Sequence, residues 1–172
     1  MSLGYVEELA VRYFERDGYL VQSNVRFQLD KKKLGKKAAG WSDIDIVAVK
    51  PMEVKIVQCK SFSGTKKSEL FTNEMMEWFD TAESFLRKDK FWKGWLENRK
   101  LNRVFIVDFS VPAVDKKLRA AGIEVLYYKE ILKKLLGWLE DGPESRRKGK
   151  EDDMVIRLLV GMLQYGVIRE DI

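Results

Sequence analysis

The fold is decided by one stretch, residues 41–64, with the sequence WSDIDIVAVKPMEVKIVQCKSFSG. A period of two, typical of β-strands, assigns alternate residues of 42–49 and of 54–60 to opposite faces. Pro51 and Met52 stand between the two runs, where proline favours a turn. The stretch therefore predicts a β-hairpin.

The alternation also predicts which side chains share a face of that hairpin. One face is expected to hold Asp43, Asp45, Val47 and Val49 of the first strand with Val54, Ile56, Gln58 and Lys60 of the second. With the turn centred between Pro51 and Met52, Asp45 faces Gln58 and Asp43 faces Lys60. Four polar groups then gather at the open end of the hairpin, and we take them as the candidate site.

Composition narrows the chemistry available to such a site. The 172 residues include no histidine and one cysteine, and the formal net charge is +5. These counts exclude histidine-based triads, histidine-ligated zinc, an intrachain disulfide and a multi-thiolate zinc site. A hydrolytic site here has to use carboxylates, amides, lysines and a hard metal ion, and the positive charge favours a polyanionic partner.

Hydropathy predicts a soluble cytoplasmic protein without a membrane partner. No apolar run approaches the roughly 20 residues that cross a bilayer, and the N-terminus lacks the apolar core of a signal peptide. The lone Cys59 lies mid-strand, where it is expected to act as a small buried apolar group.

The first segment, residues 4–17, has the spacing of an amphipathic helix that ends at Gly18. Glu7 is the exception to the pattern, because it lies on or beside the apolar stripe. Two interpretations stay open for it: a carboxylate stabilised by the helix dipole at the N-terminus, or a member of the site.

A strand is predicted from Tyr19 to Leu29, with Tyr19, Val21, Val25 and Phe27 on one side. Residues 30–40 then form a basic loop that enters the hairpin directly. Its five lysines are Lys31, Lys32, Lys33, Lys36 and Lys37. They are either a solvated surface or a contact for the phosphates of a nucleic acid.

The remaining segments complete an α/β pattern. Helices are predicted over 66–90, 113–121 and 129–140, and strands over 103–109 and 123–128. Phe91 and Trp92 either continue the first of these helices or start a short second one. The order predicts one central mixed β-sheet flanked by helices, within a domain of residues 1–142. Residues 143–172 are expected to form a basic linker and an apolar helix that docks on the domain or on a partner subunit.

Taken together, the motifs resemble the PD-(D/E)xK nuclease superfamily, in particular Mrr-type restriction endonucleases and also archaeal Holliday-junction resolvases. The resemblance rests on helical Glu7, on Asp45-Ile-Val-Ala and on Val57-Gln-Cys-Lys60. It implies a restriction-endonuclease-like fold and a Mg²⁺- or Mn²⁺-dependent deoxyribonuclease. Two departures stand out: Gln58 replaces the usual acidic residue, a form known in the Mrr-type group, and Ile44 replaces the usual proline.

The resemblance also implies roles. Asp45 corresponds to the metal-binding aspartate, Lys60 to the lysine that orients the attacking water, and Glu7 to the helix glutamate that helps to hold the metal or its water. Gln58 stands at the second ligand position. The backbone carbonyl of Cys59 is placed to be a further ligand, and Asp43 either adds negative charge or pairs with Lys60.

Several alternatives stay open at this point. Asp43–Lys60 and Asp45–Gln58 are alternatively ordinary cross-strand pairs. The leading function is a metal-dependent endonuclease acting on DNA, with RNA open as a substrate. The alternative is a catalytically silent nuclease fold that binds nucleic acid or serves as an assembly subunit. A homodimer is expected from the C-terminal helix and from the habit of the family.

Overall fold

The computed structural model describes residues 4–29, 40–63, 68–141 and 153–165. Within them the chain forms, in order, α1 (Tyr5–Arg16), β1 (Leu20–Leu29), β2 (Gly40–Val49), β3 (Glu53–Ser63), α2 (Ser68–Lys88), α3 (Lys90–Leu96), β4 (Lys100–Ser110), α4 (Pro112–Ala120), β5 (Ile123–Tyr127), α5 (Tyr128–Asp141) and α6 (Met154–Gln164).

The strands form one mixed sheet in the order β1-β2-β3-β4-β5. β1, β2 and β3 pair antiparallel, whereas β3, β4 and β5 pair parallel. The two parallel neighbours are joined through helices because a parallel pair needs a crossover connection. The predicted α/β class with a central mixed sheet is therefore confirmed.

The β2–β3 hairpin has the predicted register over its paired length. The ladder extends from Val49↔Val54 to Ile46↔Val57. Lys50 and Glu53 close the turn, since the amide of Lys50 donates to the Glu53 carbonyl at 2.9 Å. The backbone ladder ends at Ile46↔Val57, and beyond it the Cys59 amide donates to the Asp45 side chain.

The predicted faces of β1 and β2 need a correction. Val47 and Val49 lie in the same buried cluster as Ile44, although strict alternation predicts opposite faces. The change of face in β2 lies level with Asn24 of β1, which stands opposite Asp45 between the pairs Ser23↔Ile46 and Val25↔Ile44 and has a φ of 54°. A left-handed residue inside a strand breaks the period of two.

The same break separates residues of β1 that were expected on one side. Val25 and Phe27 belong to the buried cluster around α2. Tyr19 instead packs edge-on against Phe14 of α1, with ring centroids 5.5 Å apart. The predicted common face of Tyr19, Val25 and Phe27 is therefore wrong.

The main core lies between the sheet and α2. Met75, Phe79, Ala82 and Leu86 of α2 are buried against Phe105 and other sheet residues, as their helical spacing predicted. The chain then starts a separate helix, α3, because the Asp89 side chain accepts from the amides of Phe91 and Trp92 at 2.9 and 3.1 Å.

The chain divides into two compact units, Met1–Tyr128 and Lys129–Ile172. In the second unit Asp153 caps the N-terminus of α6, since its side chain accepts from the amides of Val155 and Ile156. The predicted boundary at 142/143 and the docking of the last helix stay predictions. No helix in the described ranges combines the length and apolar character that a bilayer span requires.

Candidate active site

Asp45 lies at the centre of the candidate site, at the open end of the β2–β3 hairpin. Its Oδ2 accepts hydrogen bonds from Gln58 Nε2 at 2.5 Å and from the backbone amide of Cys59 at 2.6 Å. The residue is only 9% exposed. The side chain of Asp45 thus joins β2 to β3 just beyond the last backbone pair, Ile46↔Val57.

The surroundings of Asp45 disfavour its negative charge. Burial raises its pKa to about 6, and the nearby carboxylates of Glu7 and Asp43 add to the rise. The amide of Cys59 and the ammonium of Lys60 oppose this rise in pKa without cancelling it. A buried carboxylate beside two others is therefore short of positive charge, which a bound cation would supply.

Of the two interpretations of Glu7, the structure supports the one in which it stabilises the helix N-terminus, and membership of the site stays a prediction. Its Oε2 accepts from the backbone amide of Gly4 at 2.7 Å, so it stabilises the N-terminus of α1. Its charge also raises the pKa of Asp45, so it contributes to the electrostatics of the site. A role as a ligand stays a prediction, since the contact seen for this carboxylate is with α1 itself.

Gln58 is buried beside Asp45, with 5% of its surface exposed. Its amide nitrogen, assigned from the hydrogen-bond network, faces the carboxylate as a donor. A metal ion at Asp45 needs the amide oxygen instead. Rotation about the last side-chain bond exchanges the positions of the amide nitrogen and oxygen. Gln58 can therefore donate to Asp45 without metal or offer its oxygen to a metal ion.

Cys59 contributes backbone groups to the site, while its thiol is buried. Burial is the largest cause that raises the thiol pKa well above its usual value, and the charge of Asp45 adds to it. The thiol is therefore neutral and apolar in character. The amide of Cys59 points toward β2, and the carbonyl of a strand residue points to the same side as its amide. The carbonyl is thus available near Asp45.

Asp43 and Lys60 are more exposed than Asp45 and Gln58. Lys60 is exposed and Asp43 is half-buried. Among the described residues no ion pair joins these two, whereas the predicted Asp45–Gln58 contact is formed. Both groups nevertheless act on the pKa of Asp45, in opposite directions.

The donor set can be compared with what a metal ion needs. In the described part of the chain, no group of three acidic, thiol or imidazole side chains is arranged to hold a metal ion. The donors near one another are the carboxylate of Asp45, the amide of Gln58 and the carbonyl of Cys59. Asp45 and Cys59 offer oxygen atoms, and Gln58 offers one when its amide is rotated. Mg²⁺ commonly uses one or two carboxylates and keeps several waters. The set fits a weakly held Mg²⁺ or Mn²⁺ ion.

The sequence reasoning missed Asn24, which faces Asp45 from β1 with left-handed backbone geometry. Asparagine tolerates that conformation better than most residues, so its identity was one available signal. The predicted nucleic-acid contacts, Lys31, Lys32, Lys33, Lys36 and Lys37, lie outside the described residues.

No protein-family model matches the sequence, and no curated protein matches it. Among solved structures, the chain is similar to the crystal structure of AF1548, a protein of unknown function. The two share 16% sequence identity with a TM-score of 0.48, over 94% of this chain and 77% of that one.

Proposed function

We propose that the protein is a metal-dependent endonuclease that hydrolyses phosphodiester bonds of DNA, similar to Mrr-type enzymes. The observation behind this proposal is the buried carboxylate of Asp45, which shares its contacts with Gln58 and Cys59 and lies in the negative field of Glu7 and Asp43. Stability alone gives no reason to bury the carboxylate of Asp45 within electrostatic range of two other carboxylates.

Each residue has a distinct part in this proposal. Asp45, the amide oxygen of Gln58 and the carbonyl of Cys59 would hold Mg²⁺ or Mn²⁺. When bound, such an ion neutralises charge on a phosphate and lowers the pKa of a coordinated water. Lys60, exposed at the end of the site, orients the attacking water and stabilises the negative charge that develops on the phosphate. Glu7 helps to position that water.

A second candidate is a catalytically silent nuclease fold that binds nucleic acid or acts as an assembly subunit. Gln58 supports it, because an amide adds no negative charge and here donates a hydrogen bond to Asp45. A neutral residue at this position weakens cation binding compared with a carboxylate.

A cleavage assay separates the two candidates. Wild type, Asp45→Asn, Lys60→Ala and Lys93→Ala are incubated with Mg²⁺ or Mn²⁺ and with supercoiled, linear, branched and single-stranded DNA, with RNA alongside. Lys93 is an exposed lysine on α3 and is the matched control for Lys60. We expect cleavage of DNA by wild type and Lys93→Ala, and losses of at least roughly 100-fold in the other two variants.

Two outcomes would contradict the enzyme proposal. One is the absence of cleavage on every substrate with both ions, which favours the silent fold. The other is cleavage that persists in Asp45→Asn or Lys60→Ala, which places the active site elsewhere or indicates a contaminating nuclease. Cleavage of RNA in preference to DNA corrects the substrate and leaves the site assignment intact.

A further inference from the structure

Building on the proposed function, we infer that Trp41, backed by Arg26, is a stacking platform for an unpaired nucleotide of the DNA strand bound at the Asp45 site. The enzyme then prefers single-stranded or branched DNA over continuous duplex. The inference rests on where Trp41 lies, how it is held and what its open ring face can bind.

Trp41 lies on the same face of β2 as the candidate site. Asp43 follows it by two residues, so these two side chains point to one side of the strand, and Asp43 is near enough to Asp45 to raise the pKa of Asp45. The residues between them point to the other side: Ser42 accepts from Trp78 of α2 at 3.1 Å, and Ile44 lies in the cluster around α2. Four residues of strand place Trp41 about 13 Å from Asp45.

The indole is unusually open for a tryptophan in a strand, with 63% of its surface exposed. Arg26 of β1, which pairs with Asp43 on the neighbouring strand, places its guanidinium carbon 5.0 Å from the centre of the ring. The guanidinium lies over one face of the ring, and the exposed fraction shows that most of the indole is nevertheless open to solvent. Trp92, by comparison, is 9% exposed.

A flat aromatic face beside a fixed cation matches the chemistry of an unpaired nucleotide. Any base can stack on an aromatic side chain, but only after it leaves the duplex stack. The positive charge of Arg26 suits the adjacent phosphate and strengthens the stack through the ring. Continuous duplex offers no free base to this surface, so the platform selects for unpaired DNA.

Binding measurements in EDTA test this inference without requiring cleavage. Fluorescence anisotropy is measured for a labelled single strand and for its duplex with wild type, Trp41→Ala, Trp41→Phe and Phe91→Ala. Phe91 is exposed to a similar degree, 65%, and lies on α3, so Phe91→Ala controls for the loss of an exposed aromatic. Trp41→Phe keeps an aromatic face and tests whether stacking is the property that matters.

We expect Trp41→Ala to weaken single-strand binding by roughly 5- to 150-fold, the range for losing one base stack. Trp41→Phe should restore most of this affinity, Phe91→Ala should match wild type, and duplex binding should change less than about 3-fold in all variants. The inference is overturned if Trp41→Ala binds the single strand as wild type does, or if single-strand and duplex binding fall equally.

The outcomes also separate this inference from the proposed function. If wild type cleaves DNA and Trp41→Ala binds the single strand as wild type does, the platform is wrong and the nuclease proposal stands. If wild type cleaves no DNA and Trp41→Ala selectively loses single-strand binding, the nuclease proposal is wrong and the platform stands. A wild type that binds no DNA overturns the platform outright.

Discussion

Polar groups lie at both ends of the β2–β3 hairpin, but the two ends differ in how the charges of those groups are balanced. At the turn end, the carboxylate of Glu53 accepts from the hydroxyl of Tyr19 and from Asn102 Nδ2, the latter at 2.7 Å. Lys50 stacks on the ring of Tyr19, with its Nζ 4.1 Å from the centroid, and pairs with Asp17 at 3.1 Å. Each charge at this end has a donor or an opposite charge beside it.

At the open end, Asp45 is more deeply buried and has two neutral donors. Two further carboxylates raise its pKa, and the ammonium of Lys60 offsets this rise only in part. The turn end therefore stabilises the fold, whereas the open end keeps a charge that the fold disfavours. Carboxylates with strongly raised pKa values cluster at functional sites because binding or catalysis, and not folding, is what they serve. This contrast is the main physical reason for the proposal that Asp45 belongs to a functional site.

The largest expected effect on stability is a gain from Asp45→Asn without metal. Burial and the charges of Glu7 and Asp43 raise the folded-state pKa to about 6, above the ordinary value of an aspartate. The wild type therefore loses stability as pH rises through the interval between these values, and the variant does not. At pH 7.5 the variant should be more stable by about 2–3 kcal/mol, as measured by urea unfolding.

The pH dependence is the control for this prediction. Near pH 4 Asp45 is protonated in the folded protein, so the gain should nearly vanish. Asparagine retains an oxygen that can accept from the amide of Cys59, so the geometry is preserved. An Asp45→Asn protein less stable than wild type at pH 7.5 would show that the charge is well accommodated and that the contrast between the two ends is false.

At the turn end, a substitution is expected to lower the free energy of unfolding. Glu53→Ala leaves the hydroxyl of Tyr19 and the amide of Asn102 without their acceptor. We expect a loss of about 2 kcal/mol in the free energy of unfolding. Glu124→Ala is the matched control, because Glu124 pairs with Lys55 at a more exposed position and its loss should cost under about 1 kcal/mol. Equal losses of unfolding free energy in the two variants would show that Glu53 stabilises the fold no more than an exposed ion pair does.

Much of this arrangement follows from local sequence. The hairpin, its register and the Asp45–Gln58 contact were predicted because alternation and a proline turn are short-range signals. The change of face at Asn24 was not, since a left-handed residue inside a strand depends on the packing on both sides of it. The raised pKa of Asp45 was equally hidden, because it depends on burial and on Glu7 approaching from α1.

Asn24 itself gives a smaller, sharper test of that geometry. Its positive φ suits asparagine and glycine but strains a β-branched residue. Asn24→Val should therefore lower the free energy of unfolding by about 1–2 kcal/mol, while Asn24→Gly should stay within about 0.5 kcal/mol of wild type. Thermal and urea unfolding measure both. If Asn24→Val is as stable as Asn24→Gly, residue 24 does not have the left-handed backbone conformation that changes the face of β1.

The smallest effect is expected from the lysines that precede β2 in the chain. Replacing Lys31, Lys32 and Lys33 by glutamine should reduce the slope of log affinity for DNA against log salt by about 0.9 for each lysine that contacts a phosphate. Anisotropy titrations at several salt concentrations provide the slope. An unchanged slope would mean that these lysines are solvated and that DNA is held elsewhere.

The central claim is that the open end of the hairpin binds a divalent cation through Asp45, and thermal unfolding at pH 7.5 with and without Mn²⁺ tests it most directly. Binding to the folded state alone adds about 2.7 kcal/mol of stability at 100 times the dissociation constant. We predict that Mn²⁺ raises the melting temperature of wild type and leaves that of Asp45→Asn unchanged. A wild type unaffected by Mn²⁺, or an equal shift in Asp45→Asn, would contradict the claim.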